Sequence, residues 1–278
     1  MLDGAGRLAT VATVVQWWQA TATGAMLGAV AGCGVATAMA AWGAWRVMVL
    51  RGVDAPSGQG WTGPALLSIQ AFGLQVLQQY DNIFWASAMP ADALKAWNLG
   101  QTFSPAQTVG YGISQVTVPL VLVMLPRVAR ANAMGVGSSL LRVTLTCTGT
   151  IAGVAALAST VMPRLPLQVM FFNNPGNWVA APLVPWFAWA MVPLMVSNVL
   201  LNDMVGRGVS RVAWIVAGCA VGYVATLHVL RPSLVAMPPM EAYRTGVTVL
   251  LAATSIMLAA CLIARWRWFP SPAGPIAR

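Results

Sequence analysis

The chain has 278 residues, of which 58% are apolar and 8% are charged, whereas about 25% are charged in an ordinary soluble domain. So few charges exclude a soluble protein and predict an integral membrane protein. Lys and Arg outnumber the acidic residues by 15 to 6, but they stand singly or in pairs at the ends of apolar runs, so they indicate membrane topology and not a nucleic-acid partner.

Apolar windows of about twenty residues, bounded by charged residues or by Pro and Gly, predict eight membrane-spanning helices. Their approximate ranges are 7–23, 25–48, 63–88, 105–126, 140–162, 181–202, 211–230 and 246–265. Thr and Gln residues interrupt the first range, so this segment either spans the membrane or lies along its surface. The predicted fold class is an all-α, polytopic transmembrane helical bundle.

The basic residues predict the orientation of these helices. Of the 15 Lys and Arg residues, all but Lys95, Arg164, Arg231 and Arg244 fall on one side of the membrane. By the positive-inside rule that side is cytoplasmic, both termini lie there, and the number of spans is even. If the first segment lies on the surface, the N-terminus is outside instead. The Pro-rich residues 269–278 predict a disordered cytoplasmic tail.

Small residues and prolines suggest how the helices pack. Three patterns place glycines on one helix face, where another backbone could approach; they are Gly24-x-x-x-Gly28-x-x-x-Gly32, Gly149-x-x-x-Gly153 and Gly218-x-x-x-Gly222. We interpret them as evidence for a compact bundle and not for a dimer. Pro185 and Pro193 fall in the sixth range, where they predict either irregular packing or a hinge in a transporter.

Asp81 is an acid within the third apolar range. A carboxylate near the middle of a spanning helix costs about 2.5–3.5 kcal/mol on insertion scales, so it normally faces a cavity or a partner. Asp81 lies in the outer half of its range, where this cost is smaller. Two interpretations stay open: an interfacial or helix-capping residue, and a site for a cation, a proton or a substrate.

A polar stripe on the same helix supports the second interpretation. Gln75, Gln78, Gln79 and Asn82 are spaced i, i+3, i+4 and i+7, which places them on one helix face. Such a face is expected to line a cavity and not to contact lipid. The sixth range carries a shorter stripe, formed by Ser197, Asn198 and Asn202 and leading to Asp203.

Motifs for catalysis are scarce. His228 is the only histidine, near the end of the seventh range, so a His-based triad or metal site has no second histidine. The four cysteines stand alone in different apolar segments and indicate packing residues. The sequence also lacks a Walker loop and a dinucleotide fingerprint. We therefore predict no enzyme activity, no cofactor and no metal; a membrane glycosyl- or acyltransferase is a minor alternative.

Three stretches resemble the C-terminal half of polysaccharide flippases of the multidrug, oligosaccharidyl-lipid and polysaccharide exporter superfamily. QQYDNIFWASAMPADALKAWNLGQTF resembles the first helix of the second lobe, with Asp81 at a frequent acidic position of the family. VPLVLVMLPRVARA resembles the next helix and its basic exit, and AAPLVPWFAWAMVPLMVSNVLLNDMVGRG resembles a later helix. Members usually have twelve to fourteen spans in two lobes, so this chain has room for one lobe plus two helices.

The resemblance implies a membrane transporter that moves lipid-linked oligosaccharide or polysaccharide precursors across the bacterial inner membrane by alternating access. It implies two transmembrane helices in residues 1–60, a six-helix second lobe in 61–268, and a second lobe-like partner or second copy to complete the cavity. The expected site residues are Asp81 for a cation, proton or sugar contact, and Gln75, Gln78 and Asn82 for hydroxyl groups. The alternatives are a drug or cation antiporter of the same superfamily and a membrane scaffold subunit that does not transport.

Overall fold

The computed structural model describes residues 62–88, 102–115, 124, 127–128, 130 and 140–268. These residues are helical and form no β-strand. The chain divides into two compact units, Met1–Ser68 and Ile69–Arg278, and the contacts described below belong to the second unit. The predicted helices at 7–23 and 25–48, like the predicted tail at 269–278, lie outside the described residues.

Seven α-helices occur in the described ranges. They are α1 (Thr62–Ala88), α2 (Ser104–Gln115), α3 (Leu140–Val161), α4 (Arg164–Met170), α5 (Val184–Gly206), α6 (Ala213–Ala236) and α7 (Pro239–Trp268). A 3₁₀ segment, Pro175–Leu183, leads directly into α5, and a single 3₁₀ turn, Ser210–Val212, leads into α6. Helices α1, α3, α5, α6 and α7 overlap predicted spans, and α2 covers the first part of the range 105–126.

Four of the described helical segments are long and apolar enough to cross a membrane. They are Leu141–Val161, Pro175–Gly206, Ala213–Ala236 and Pro239–Trp268. These segments identify the chain as an integral membrane protein, whereas the total of eight spans stays a prediction. Helix α1 has sufficient length, at 27 residues, but its Gln, Asn and Asp side chains lower its mean hydropathy, so it needs protein neighbours for these groups.

Helix α5 lies at the centre of the described bundle. It packs against α2, α3 and α7, and it has buried residues on all sides. Trp189 of α5 donates a hydrogen bond to the Thr160 hydroxyl near the end of α3, at 3.1 Å, so these two helices run antiparallel. The outer helices keep exposed apolar faces, which include Val154 of α3, Val229 of α6 and Ile256 of α7. These faces are suited to contact lipid chains.

Among the described helices, the close contacts at glycine lie outside the predicted G-x-x-x-G patterns. A Cβ atom on Gly73 would lie 2.8 Å from Val216 of α6, and one on Gly246 would lie 2.9 Å from the Trp85 ring. By contrast, a Cβ atom on any glycine of the two described G-x-x-x-G patterns, Gly149, Gly153, Gly218 and Gly222, meets no atom within 4 Å in the described part of the chain. These two patterns therefore make no close contact with the described helices, because spacing identifies a helix face but not the direction in which it points.

We expect Gly246→Val to lower the free energy of unfolding by about 1–3 kcal/mol, because the added methyl groups would displace the Trp85 ring in a packed core. Gly222→Val is the matched control, since it makes the same exchange within a helix but at an open position. The apparent melting temperature of each purified variant in detergent checks this expectation. Equal melting temperatures for the two variants would contradict the close contact at Gly246.

Candidate functional site

Asp81 is buried in the second half of α1. Its side chain is 1% exposed, and neither carboxylate oxygen has a hydrogen-bond partner among the described residues. The helix continues to Ala88, so Asp81 lies about two turns from its end. This position fits neither a helix-capping side chain nor one exposed to lipid headgroups, and the interpretation as a site for a proton, a cation or a substrate stays a prediction.

The contacts of its neighbours show which side of α1 carries Asp81. The Tyr80 hydroxyl is 2.7 Å from Nε2 of His228 on α6, and the Trp85 ring packs edge-on against Tyr243 of α7, with ring centroids 5.1 Å apart. In an α-helix Asp81 follows Tyr80 by about 100° and precedes Trp85 by about 40°. Asp81 therefore lies on the part of α1 between its contacts with α6 and with α7.

The predicted polar stripe contacts α2. Asn82 donates a hydrogen bond from Nδ2 to Oε1 of Gln107, and Gln107 Nε2 donates to the backbone oxygen of Gln78 at 2.9 Å. The Ser104 hydroxyl is 3.4 Å from Oδ1 of Asn82. Gln107 is buried, and its side chain is hydrogen-bonded to two residues of the stripe, Gln78 and Asn82. Neither Gln107 nor Ser104 was among the predicted site residues, although Gln107 is a polar residue within the predicted span 105–126 and Ser104 lies directly before that span.

A small cavity with a lining more apolar than polar lies between α1, α2 and α5. It has a volume of about 30 Å³, which leaves room for a water molecule or a hydroxyl group. Its polar lining consists of Gln78 from α1, Ser114 and Gln115 from α2, and Asn198 from α5, and its apolar lining consists of Leu74, Leu194 and Met195. Residues from both predicted polar stripes thus meet at one cavity. Gln75, which is half-buried, and Asn82 are not among its lining residues.

The two predicted hinge prolines occupy different places in α5. Pro185 lies in the first turn, directly after the 3₁₀ segment, where the missing N–H group of proline is tolerated. Pro193 is buried inside the helix, where it removes a backbone donor. The Ser197 hydroxyl donates to the Pro193 carbonyl oxygen at 2.6 Å. Only Pro193 therefore interrupts the hydrogen bonds of α5 one turn before the cavity residue Asn198.

A buried ion pair joins the ends of α5 and α7. Asp203 is fully buried, and its Oδ2 atom accepts hydrogen bonds from Arg207 Nε at 3.1 Å and from Arg265 Nη1. The polar stripe of the sixth range leads to Asp203, but it does not predict the contact with Arg265, because Arg265 lies on another helix. These contacts fix the two helix ends to each other.

The described cysteines belong to no predicted site. Cys147, Cys219 and Cys261 are free thiols, and the described residues contain no group of three His, Cys, Asp or Glu side chains that could hold a metal ion.

Comparisons with protein-family models, with curated proteins and with solved structures each found no match to this chain.

Proposed function

We propose that the chain is a multi-pass membrane transporter of the flippase type, which moves lipid-linked oligosaccharide or polysaccharide precursors across the bacterial inner membrane. The observation that carries this proposal is the cavity at which Gln78 of α1 and Asn198 of α5 meet. Polar side chains in an otherwise apolar bundle are costly unless they face a cavity or a partner. Carboxamides both donate and accept hydrogen bonds, as binding to the hydroxyl groups of a glycan requires.

The lining of the cavity is suited to a sugar in a second respect. Its polar side chains are uncharged, and Leu74, Leu194 and Met195 provide apolar surface against which the C–H face of a sugar ring would pack once the cavity widens. Because the cavity now has room for only one hydroxyl group, the glycan would cross when alternating access opens it, while its lipid chain follows the exposed apolar helix faces. Alternating access requires an opposite wall, which a second lobe or a second copy of the chain would supply.

Asp81 is the proposed cation or proton site of this transporter. An uncompensated carboxylate in an apolar interior is stabilised by taking up a positive charge. Uptake and release of that charge would bias the packing of α1 against α6 and α7. The same observation favours the second candidate function, a drug or cation antiporter of the same superfamily, in which the charge is exchanged for a small cationic cargo.

Proteoliposomes that contain the purified chain test the proposed function. The probe is a polyprenyl-diphosphate-linked oligosaccharide with a fluorescent label, and loss of fluorescence to a membrane-impermeant reductant measures its transfer between leaflets. We expect transfer faster than in protein-free liposomes. We also expect Gln78→Leu to reduce the rate about tenfold, as for the loss of one hydrogen bond of about 1.4 kcal/mol.

Gln168→Leu is the matched control, because Gln168 is exposed on α4 and lies outside the cavity lining. Transfer no faster than in empty liposomes would contradict the flippase. Uptake of a fluorescent organic cation in place of glycolipid transfer would support the antiporter, and activity in neither assay would support the scaffold subunit.

A further inference from the structure

We propose that the end of the bundle where α5 and α7 terminate binds the phosphate groups of anionic membrane lipids, whatever the bundle transports. The Asp203–Arg265 contact joins these two helix ends. Gly208, with a φ of 85°, turns the chain immediately after α5, so that Arg211 in the next 3₁₀ turn lies at the same end. Arg267 is in the last turn of α7.

The charges at this end are unbalanced. Asp203 is buried between Arg207 and Arg265, whereas Arg211 and Arg267 are exposed. Asp203 is the only acid among the described residues at this end, since the other two described acids, Asp81 and Glu241, lie in the second half of α1 and in the first turn of α7. The surface therefore carries a net positive charge, which attracts an anionic ligand.

Two tryptophans indicate the depth of these arginines in the membrane. Trp266 and Trp268 alternate with Arg265 and Arg267, and their side chains are 78% and 42% exposed. Exposed tryptophans at the end of a spanning helix prefer the headgroup layer. Arg267, between them in sequence, is thereby at the level of the lipid phosphates, and a guanidinium group can hold a phosphate through two parallel hydrogen bonds.

Lipid is the source of phosphate that these observations favour. A free phosphate ion would need polar groups on several sides, whereas Arg267 lies in sequence between two exposed tryptophans and Arg211 lies in the 3₁₀ turn that leads into the spanning helix α6. An anionic phospholipid satisfies both kinds of surface, since its phosphate contacts the arginines and its chains contact the apolar side chains. Basic residues near a membrane surface typically strengthen binding to anionic lipid by about five-fold each.

Tryptophan quenching by brominated lipids tests the proposal. The purified full chain in detergent micelles is titrated with dibrominated phosphatidylglycerol and, separately, with dibrominated phosphatidylcholine. We expect quenching at a lower mole fraction of the anionic lipid. In the Arg211→Gln/Arg267→Gln variant we expect the affinity for phosphatidylglycerol to fall about five-fold for each arginine removed, while the affinity for phosphatidylcholine stays unchanged.

The control variant is Arg164→Gln/Arg244→Gln, which removes two exposed arginines from α4 and from the first part of α7; it should keep the preference for the anionic lipid. An equal preference in the wild type and in Arg211→Gln/Arg267→Gln would overturn the proposal. Full displacement of phosphatidylglycerol by millimolar inorganic phosphate would also overturn it, in favour of a site for free phosphate.

Discussion

Asp203→Ala is expected to lower the free energy of unfolding by about 3 kcal/mol. Removing one partner from a buried ion pair leaves the other charge without compensation, at a cost of about 3–5 kcal/mol. We expect a cost at the lower end of this range, because the side chains of Arg207 and Arg265 are 20% and 27% exposed and can regain part of their hydration. The apparent melting temperature in detergent and the midpoint of unfolding in sodium dodecyl sulfate measure the loss.

Glu241→Ala is the control for this substitution, because Glu241 is an exposed acid and surface substitutions usually change stability by less than about 0.5 kcal/mol. The double variant Asp203→Leu/Arg265→Leu should recover part of the stability that Asp203→Leu loses, since it also removes one of the two arginines that contact Asp203. Equal losses for Asp203→Ala and Glu241→Ala would show that the ion pair does not hold α5 to α7.

The sequence predicts the long helices well, because a chain in a bilayer must satisfy its backbone hydrogen bonds within each segment. The range 140–162 agrees closely with Leu140–Val161. The sequence predicts a last span that begins at 246, after the charged residues Glu241 and Arg244, whereas α7 begins at Pro239. A charged residue marks where apolar sequence ends, but a helix can continue through it into the headgroup layer.

The sequence predicts which candidate site residues share a face of one helix, but not which residues of different helices contact each other. Helical periodicity predicts that the polar stripe on α1 faces a cavity, and Gln78 lies at one. Periodicity cannot say that Gln107 binds Asn82 or that Arg265 binds Asp203, because these partners are set by how separate helices pack. For the same reason the sequence does not predict which glycines lie at close helix contacts. Gly246 is packed against Trp85, yet no pattern in the sequence distinguishes it from the open Gly222.

We expect Asp81→Asn to abolish the dependence of transport on cations while leaving the protein as stable as the wild type, or more so. Both carboxylate oxygens lack hydrogen-bond partners among the described residues, so the substitution breaks no described contact. It also removes the cost of a charge in an apolar interior. A residue that contributes function at the expense of stability should respond in this way, whereas a residue that holds the fold together should lose stability when changed.

Two gradients imposed on proteoliposomes separate the possible cations. A pH gradient drives transport if the site takes a proton, and a sodium gradient at constant pH drives it if the site takes Na⁺. Whichever gradient drives transport by the wild type, Asp81→Asn should reduce the rate of that transport at least tenfold. Gln70→Leu is the matched control, because Gln70 is also buried, its Oε1 atom has no hydrogen-bond partner in the described part of the chain, and it lies within about 20° of Asp81 around α1. A melting temperature lowered by Asp81→Asn, together with an unchanged response to both gradients, would assign Asp81 to the structural core and not to the transport site.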